Sequence, residues 1–354
     1  MGQNSFGNIF KITTWGESHG EALGVVIDGC PPLLELTEKD IQKEVDARKP
    51  VNPLISTSRT EEDQIKILSG VFEGKTTGTP ISMIVENQNK KSEDYENIKN
   101  TYRPGHADLT YDLKYKIRDY RGGGRSSGRE TICRVMAGAI AKKYMKEKEK
   151  TVFFGHTIQI GNIKIKKFDE SFIDKNPLKC GDRKSYKKMM ELIEKVKKEG
   201  NSIGAIIEII IKNVPTSLGD PIFRKLDAEL AKAMMSIGAI KGVEIGSGFS
   251  SAEKKGSENN DQIISKNGKI QFLSNNNGGI LGGISTGQDI VIRLAIKPVS
   301  SISIEQKTID KNLKNSSIKT IGRHDVCLAP RIIPVATSMA AIVLMDAYLQ
   351  NKCL

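Results

Sequence analysis

The chain is poor in cysteine, aromatics and histidine, and each scarcity removes a class of function. Its five cysteines (Cys30, Cys133, Cys180, Cys327 and Cys353) are odd in number and scattered, with no Cys-x-x-Cys pair. That excludes a disulfide framework and a zinc-ribbon site and fits reduced thiols in a cytosol. No His/Cys/Asp/Glu spacing suits a metal. Aromatic residues make up 5% of the chain, with no aromatic strand of the RNA-binding kind and no helix-turn-helix pattern, which argues against a nucleic-acid module. The N-terminus is polar and lacks the apolar core of a signal peptide, and Phe6 stands where a myristoylation signal needs Ser or Thr. The most apolar run, Ile332–Leu349, is broken by Pro334, Thr337, Ser338 and Asp346. It reads as a buried helix, so no membrane partner is expected. A cytoplasmic protein follows.

What is present is basic. Lys and Arg number 54 against 42 Asp and Glu, a net charge of +12 that favours anionic partners. Lysines around 142–150 and 187–198 fit solvated helix faces. The arginines gather near glycine and histidine instead. His19 lies in Gly16-Glu17-Ser18-His19-Gly20, His106 in Arg103-Pro104-Gly105-His106-Ala107-Asp108, and His324 in Gly322-Arg323-His324-Asp325. Imidazole exchanges protons near neutral pH, so such motifs suit chemistry on an anion. His156, in Phe153-Phe154-Gly155-His156-Thr157, has no charged neighbour and reads as structural. Ser18 and His19 are adjacent, and neighbours in extended chain point apart, so a Ser–His dyad is not expected.

The run Gly122-Gly123-Gly124-Arg125-Ser126-Ser127 precedes a helix and offers close backbone approach, a cation and hydroxyls. It has no Gly-Lys-Ser/Thr, so it is not a P-loop, and it is not the Gly-x-Gly-x-x-Gly dinucleotide fingerprint. A flexible turn is the bland alternative; the flanking arginines favour an anion nest. Lys297-Pro298-Val299-Ser300-Ser301 follows a strand and offers a second polar site, though a capped turn explains it equally well.

Alternating Val and Ile predict strands over 8–13, 23–27, 64–68, 81–85, 205–211 and 289–295. Thr37 caps a helix to Ala47, and Asp220-Pro221 starts one reaching Met235. Ser127 and Glu130 form a capping box before the helix over 132–146. Polar stretches over 49–62, 88–105, 250–277 and 303–322 read as mobile loops. Segments 69–85 and 279–295 look alike, and each follows a strand and a helix. Two related α+β halves in one domain, residues 1–354, account for this, with an antiparallel-leaning sheet in each. Chance likeness of Gly/Thr turns explains it as well. On composition alone, two other readings stand: a basic protein gripping nucleic-acid phosphates through the Gly/Arg loop, and a kinase, which lacks a magnesium carboxylate pair.

The motifs resemble one family, chorismate synthase. The matching pieces are Thr14-Trp15-Gly16-Glu17-Ser18-His19-Gly20, residues 102–108, Arg118-Asp119-Tyr120-Arg121 through Ser127, Gly242–Gly246, Gly278–Ile284 and Gly322–Asp325. The resemblance implies a β-α-β sandwich and a homotetramer. It implies anti-1,4-elimination of phosphate and a C6 hydrogen from 5-enolpyruvylshikimate 3-phosphate, with reduced FMN and no net redox change, and allows NADPH as reductant. By the same likeness His19 protonates the leaving phosphate and His106 keeps the flavin in its proper protonation state. Asp325 assists proton removal near the flavin N5. Arg48, Arg59, Arg103 and Arg323 hold the anionic groups. Flavin contacts map to Arg125, Ser126, Ser127, Gly238, Ala239, Gly282, Lys297, Pro298, Val299, Ser300, Ser301 and Arg323. Two positions depart from the family pattern. Leu54 replaces a common Arg, and Val326 a common Pro, a change expected to loosen its loop.

Overall fold

Two five-stranded sheets, each antiparallel throughout, enclose a layer of helices. The computed structural model describes residues 3–50, 52–56, 62–87, 98–320 and 324–353. The first sheet runs in the order Ser5–Phe6, Lys11–Gly16, Ala22–Asp28, Ile81–Glu86, Ile65–Ile67. The second runs Ile240–Ile245, Ile290–Ile296, Ala205–Lys212, Val152–Ile160, Ile163–Lys164. Read from their other ends, the two orders are the same. In each half the second and fourth long strands flank a helix (Glu38–Asp46 or Leu226–Met235), a small hairpin follows, and the third strand leads into a long helix. The likeness between segments 69–85 and 279–295 is therefore a repeat of topology, as the sequence suggested.

Side chains alternate across each strand. Ile81, Met83 and Val85 face inward in one half, and Ile290, Ile292, Leu294 and Ile296 in the other. They share one core with the helices Thr131–Glu149 and Ala329–Asn351, which pack against each other in the middle. The crossing is close because Gly138 has no side chain. A Cβ there would stand 2.2 Å from Cβ of Ser338. Helix Ala329–Asn351 is long and apolar enough to span a bilayer, but 89% of its apolar window is buried between the sheets. Its Asp346 accepts backbone hydrogen bonds from Asn8, Ile9 and Phe10, and so pins the chain where it enters strand Lys11–Gly16.

Four local expectations change. The second helix of the later half starts at Leu226, not Pro221, because Gly283 O takes the Leu226 N–H at 2.8 Å. Ser127 does cap, but it accepts from Arg129 N ahead of a short 3-10 turn, while Glu130 turns to Thr14 and Arg134 instead of closing the box. Thr37 does stand at the N-cap as expected, its N–H and Oγ1 both donating to Asp40 Oδ2, at 2.9 and 2.8 Å. The polar stretches 250–277 and 303–322 contain hairpins, Ile263–Lys266 with Lys269–Phe272 and Gln306–Ile309 with Asn315–Ile318. The first turns on Asn267-Gly268, both at positive φ, as a tight two-residue turn demands. His156 does have a charged partner: strand register sets it opposite Glu208, with Nε2 3.1 Å from Oε1.

Candidate active site

The site is built where the repeat is interrupted. In each half an insertion separates the third long strand from the long helix, residues 87–130 in one and 297–328 in the other. The two insertions meet. Thr101 bridges Asp310, Lys311 N donates to Asn100 O, and Lys297 Nζ donates to Gly105 O at 2.6 Å. Thr308 also donates to Tyr102 O.

A cavity of about 590 Å³ lies between them. Of the residues singled out in the sequence, Arg48, His106, Arg125, Ser126, Ser127, Gly238, Ala239, Lys297, Pro298, Val299, Ser300 and Asp325 line it. Seven Arg and Lys side chains face three carboxylates there, which suits an anionic ligand. A larger cavity of about 700 Å³ adjoins it, sharing Arg125 and Glu130. That one carries four carboxylates against three arginines, so it is the poorer anion site.

His19, Arg103, Ser301 and Gly282 are not among the lining residues. Ser301 is buried. Gly282 sits in the turn between Ile280–Leu281 and Ile284–Ser285. Arg59 and Arg323 lie outside the described residues. His19 is buried under Gly122, where a Cβ would come within 2.6 Å of the imidazole. Residues 17–20 form a turn, not extended chain, and this brings Ser18 Oγ to 3.2 Å from His19 Nδ1. The two side chains therefore do meet, contrary to the extended-chain expectation.

His106 is organised by its own loop. Asp108 accepts from Arg103 Nε and Nη2 and stands 2.8 Å from His106 Nδ1. Burial opposes ionisation of Asp108. The hydrogen bonds from Arg103 and His106 outweigh it and hold the carboxyl well below the usual carboxylate range. Nδ1 has two neighbours, the Asp108 carboxylate at 2.8 Å and the Arg103 guanidinium at 3.1 Å; the carboxylate is the nearer and only accepts, which favours a hydrogen on Nδ1.

Arg125 reaches back to Gly16 O and Thr14 Oγ1, fastening the glycine loop to the first sheet. Asp325 accepts from Arg331 at 2.6 Å. Sequence reasoning passed over Arg134, Arg331 and Asp63, and gave Arg129, beside the glycine run, no site role; all four line the cavity. Asp63 accepts from Arg129 at 2.8 Å and from Arg48 at 3.4 Å. Arg129 and Arg134 follow the glycine run closely in sequence, a signal that was legible. Val326 does not loosen its loop. Its N–H donates to Ile55 O at 2.9 Å, a bond that proline could not make.

A sequence model of the chorismate synthase family matches residues 10–349. The chain belongs to that family. It is similar to a chorismate synthase from Pelagibacter ubique (strain HTCC1062), with 53% identity over 99% of each chain. A solved crystal structure of chorismate synthase superposes with a TM-score of 0.76 at 32% identity, covering 98% of this chain and 93% of the other. The fold is thus the chorismate synthase β-α-β sandwich. The activity is that of a carbon–oxygen lyase acting on phosphates: 5-enolpyruvylshikimate 3-phosphate loses phosphate and a C6 hydrogen to give chorismate. Chorismate synthases require a reduced flavin.

Proposed function

We propose that the 590 Å³ cavity is where this chain runs that elimination, with FMN as the flavin. The observation that carries the reading is the excess of cations in a cavity walled by both insertions. The donor set fits the group. Gly128 and Gly238 line the cavity, yet among the described residues nothing lies within 4 Å of where a Cβ would stand, so no contact with those residues explains either glycine. A planar ligand against the backbone explains both. Ala239 is held at φ +72°, with its carbonyl bonded by Lys297 N. Such strain gathers at ligand sites.

Arg125, Ser126, Ser127, Gly238, Ala239 and the segment Lys297–Ser300 would hold FMN. When bound it supplies the electron chemistry of C–O cleavage without net redox change. Arg48, neighbour to Arg129 through Asp63, binds substrate anions. His106, its Nδ1 committed to Asp108, has Nε2 for the ligands. His19 delivers a proton to the departing phosphate once the glycine turn over it moves aside, a general-acid contribution of about 10²–10⁴-fold. Asp325, oriented by Arg331, accepts a proton. NADPH as reductant, a single working domain, a homotetramer and a cytoplasmic location complete the proposal.

The test is an FMN titration followed by flavin fluorescence, with 5-enolpyruvylshikimate 3-phosphate present. Lys297→Ala should weaken FMN binding tenfold or more. Unchanged binding in both Lys297→Ala and Gly238→Val would place the flavin elsewhere.

A further inference from the structure

The turn at residues 17–20, which follows strand Lys11–Gly16, carries His19. It is held from across the sheet by Asn87, the residue that follows strand Ile81–Glu86. Asn87 is buried, and its amide is used at both ends. Nδ2 donates to Glu17 O and to Gly20 O, both at 2.9 Å, so it grips the two carbonyls on either side of Ser18 and His19. Oδ1 accepts from Arg129 Nε at 2.5 Å. The backbone N–H of Asn87 donates to Glu21 O, which fixes the residue in register with the turn. Arg129 in turn is paired with Asp63, which also takes Arg48.

We infer that Asn87 is a positioning residue for the elimination: its carboxamide locks the His19 turn to the arginine bank, so that the proton donor and the anion-binding cations keep a fixed spacing. Only a carboxamide fits both partners. Two carbonyls on one side need donors, and a guanidinium on the other needs an acceptor. Aspartate would keep the acceptor for Arg129 but turn both carbonyl contacts repulsive. Alanine would release both sides. The inference rests on the proposed role of His19, and its test separates the two.

The closing experiment is a double-mutant cycle on the holoenzyme, using Asn87→Asp, His19→Ala and the pair, read by anaerobic phosphate release with reduced FMN. The arginine contact survives in N87D, so the KM for the phosphorylated substrate should stay within about twofold while kcat falls tenfold or more. In the His19→Ala background the same change should cost less than about twofold, because the group it acts through is gone. Equal losses in both backgrounds, or a wild-type kcat in N87D, would overturn the role of Asn87. A wild-type kcat in His19→Ala would instead remove the assigned role of His19. A second readout needs neither flavin nor substrate. Hydrogen exchange over the peptide spanning residues 15–22 should quicken tenfold or more in N87D, with the second sheet unchanged, and no change there also counts against the inference. If N87D does not fold, Asn87→Ser replaces it: a hydroxyl that serves one carbonyl should lower kcat by less than N87D, with a rise in KM because Arg129 loses its acceptor. Wild-type kinetics and exchange in N87S would overturn the inference on their own.

Discussion

Arg103 and Asp108 form a two-pronged ion pair, Nε to Oδ2 at 2.8 Å and Nη2 to Oδ1 at 2.9 Å, with both side chains almost wholly out of water. The two residues are five positions apart in sequence and bracket the loop that presents His106. Nη2 of the same arginine also donates to Gly122 O, the glycine that covers His19. One guanidinium thus links the loops of two histidines that stand far apart in the chain.

Removing Asp108 should be costly, because a buried guanidinium would be left unpaired. Asp108→Ala is expected to lose about 3–5 kcal/mol of stability at pH 7. The pKa of Asp108 is depressed on folding, so its contribution is full above the ordinary carboxylate range, about pH 4, and is lost as pH falls through the depressed value. Urea unfolding at pH 7 and at pH 3 checks the sign: the gap between wild type and variant should narrow at the lower pH. A variant within 1 kcal/mol of wild type at pH 7, on the order of a surface pair, would contradict this.

Asp63 serves two cations at once. Asp63→Asn keeps the volume but weakens its hold on Arg129 and Arg48. Substrate KM should rise roughly tenfold, about 1.4 kcal/mol, with a smaller change in kcat. Steady-state kinetics over a range of substrate concentration decide it, and an unchanged KM would mean that the arginines hold their places without the carboxylate.

The helix crossing offers a purely structural test. Gly138→Ala forces a methyl group into Ser338, and overpacking of this kind costs about 1–3 kcal/mol. Thermal unfolding should show a clear fall in Tm. An unshifted Tm would mean that the two helices can separate freely.

Asp346 should matter although it is far from the cavity. Asp346→Ala leaves the N–H groups of Asn8, Ile9 and Phe10 without their acceptor at the foot of the strand that leads to His19. A loss of about 3 kcal/mol is expected. Denaturant titration tests it, and a loss below 1 kcal/mol, the size of one ordinary hydrogen bond, would show that water replaces the carboxylate.

Much of the scaffold was legible in the residues. Alternation placed the strands around Val25, Met83, Ile207 and Ile292 because one face of each is buried, and the Gly/Thr turns betrayed the repeat. The His106 loop and the lysine segment Lys297–Ser300 were visible as motifs. Their meeting was not, because Lys297 reaches Gly105 across 192 positions, and only the folded insertions bring them together. The pairing of His156 with Glu208 was hidden for the same reason, since it depends on strand register. Asn87 carried no local mark at all. Its meaning lies in two carbonyls and a guanidinium supplied by other parts of the chain. By contrast, Asn267-Gly268 announced its hairpin plainly and was read as loop because the stretch around it is polar, although Ile263, Ile264 and Ile270 flank the turn, exposed rather than buried.

The central claim is that a cationic cavity joins a reduced flavin to a phosphorylated, carboxylate-bearing ring. The most direct measurement is phosphate release from 5-enolpyruvylshikimate 3-phosphate under anaerobic conditions, with dithionite-reduced FMN, with oxidised FMN and with none. Turnover only with the reduced flavin, and its loss on His106→Ala, is the predicted result. Full activity without flavin, or no phosphate released with reduced flavin and substrate together, would contradict the account.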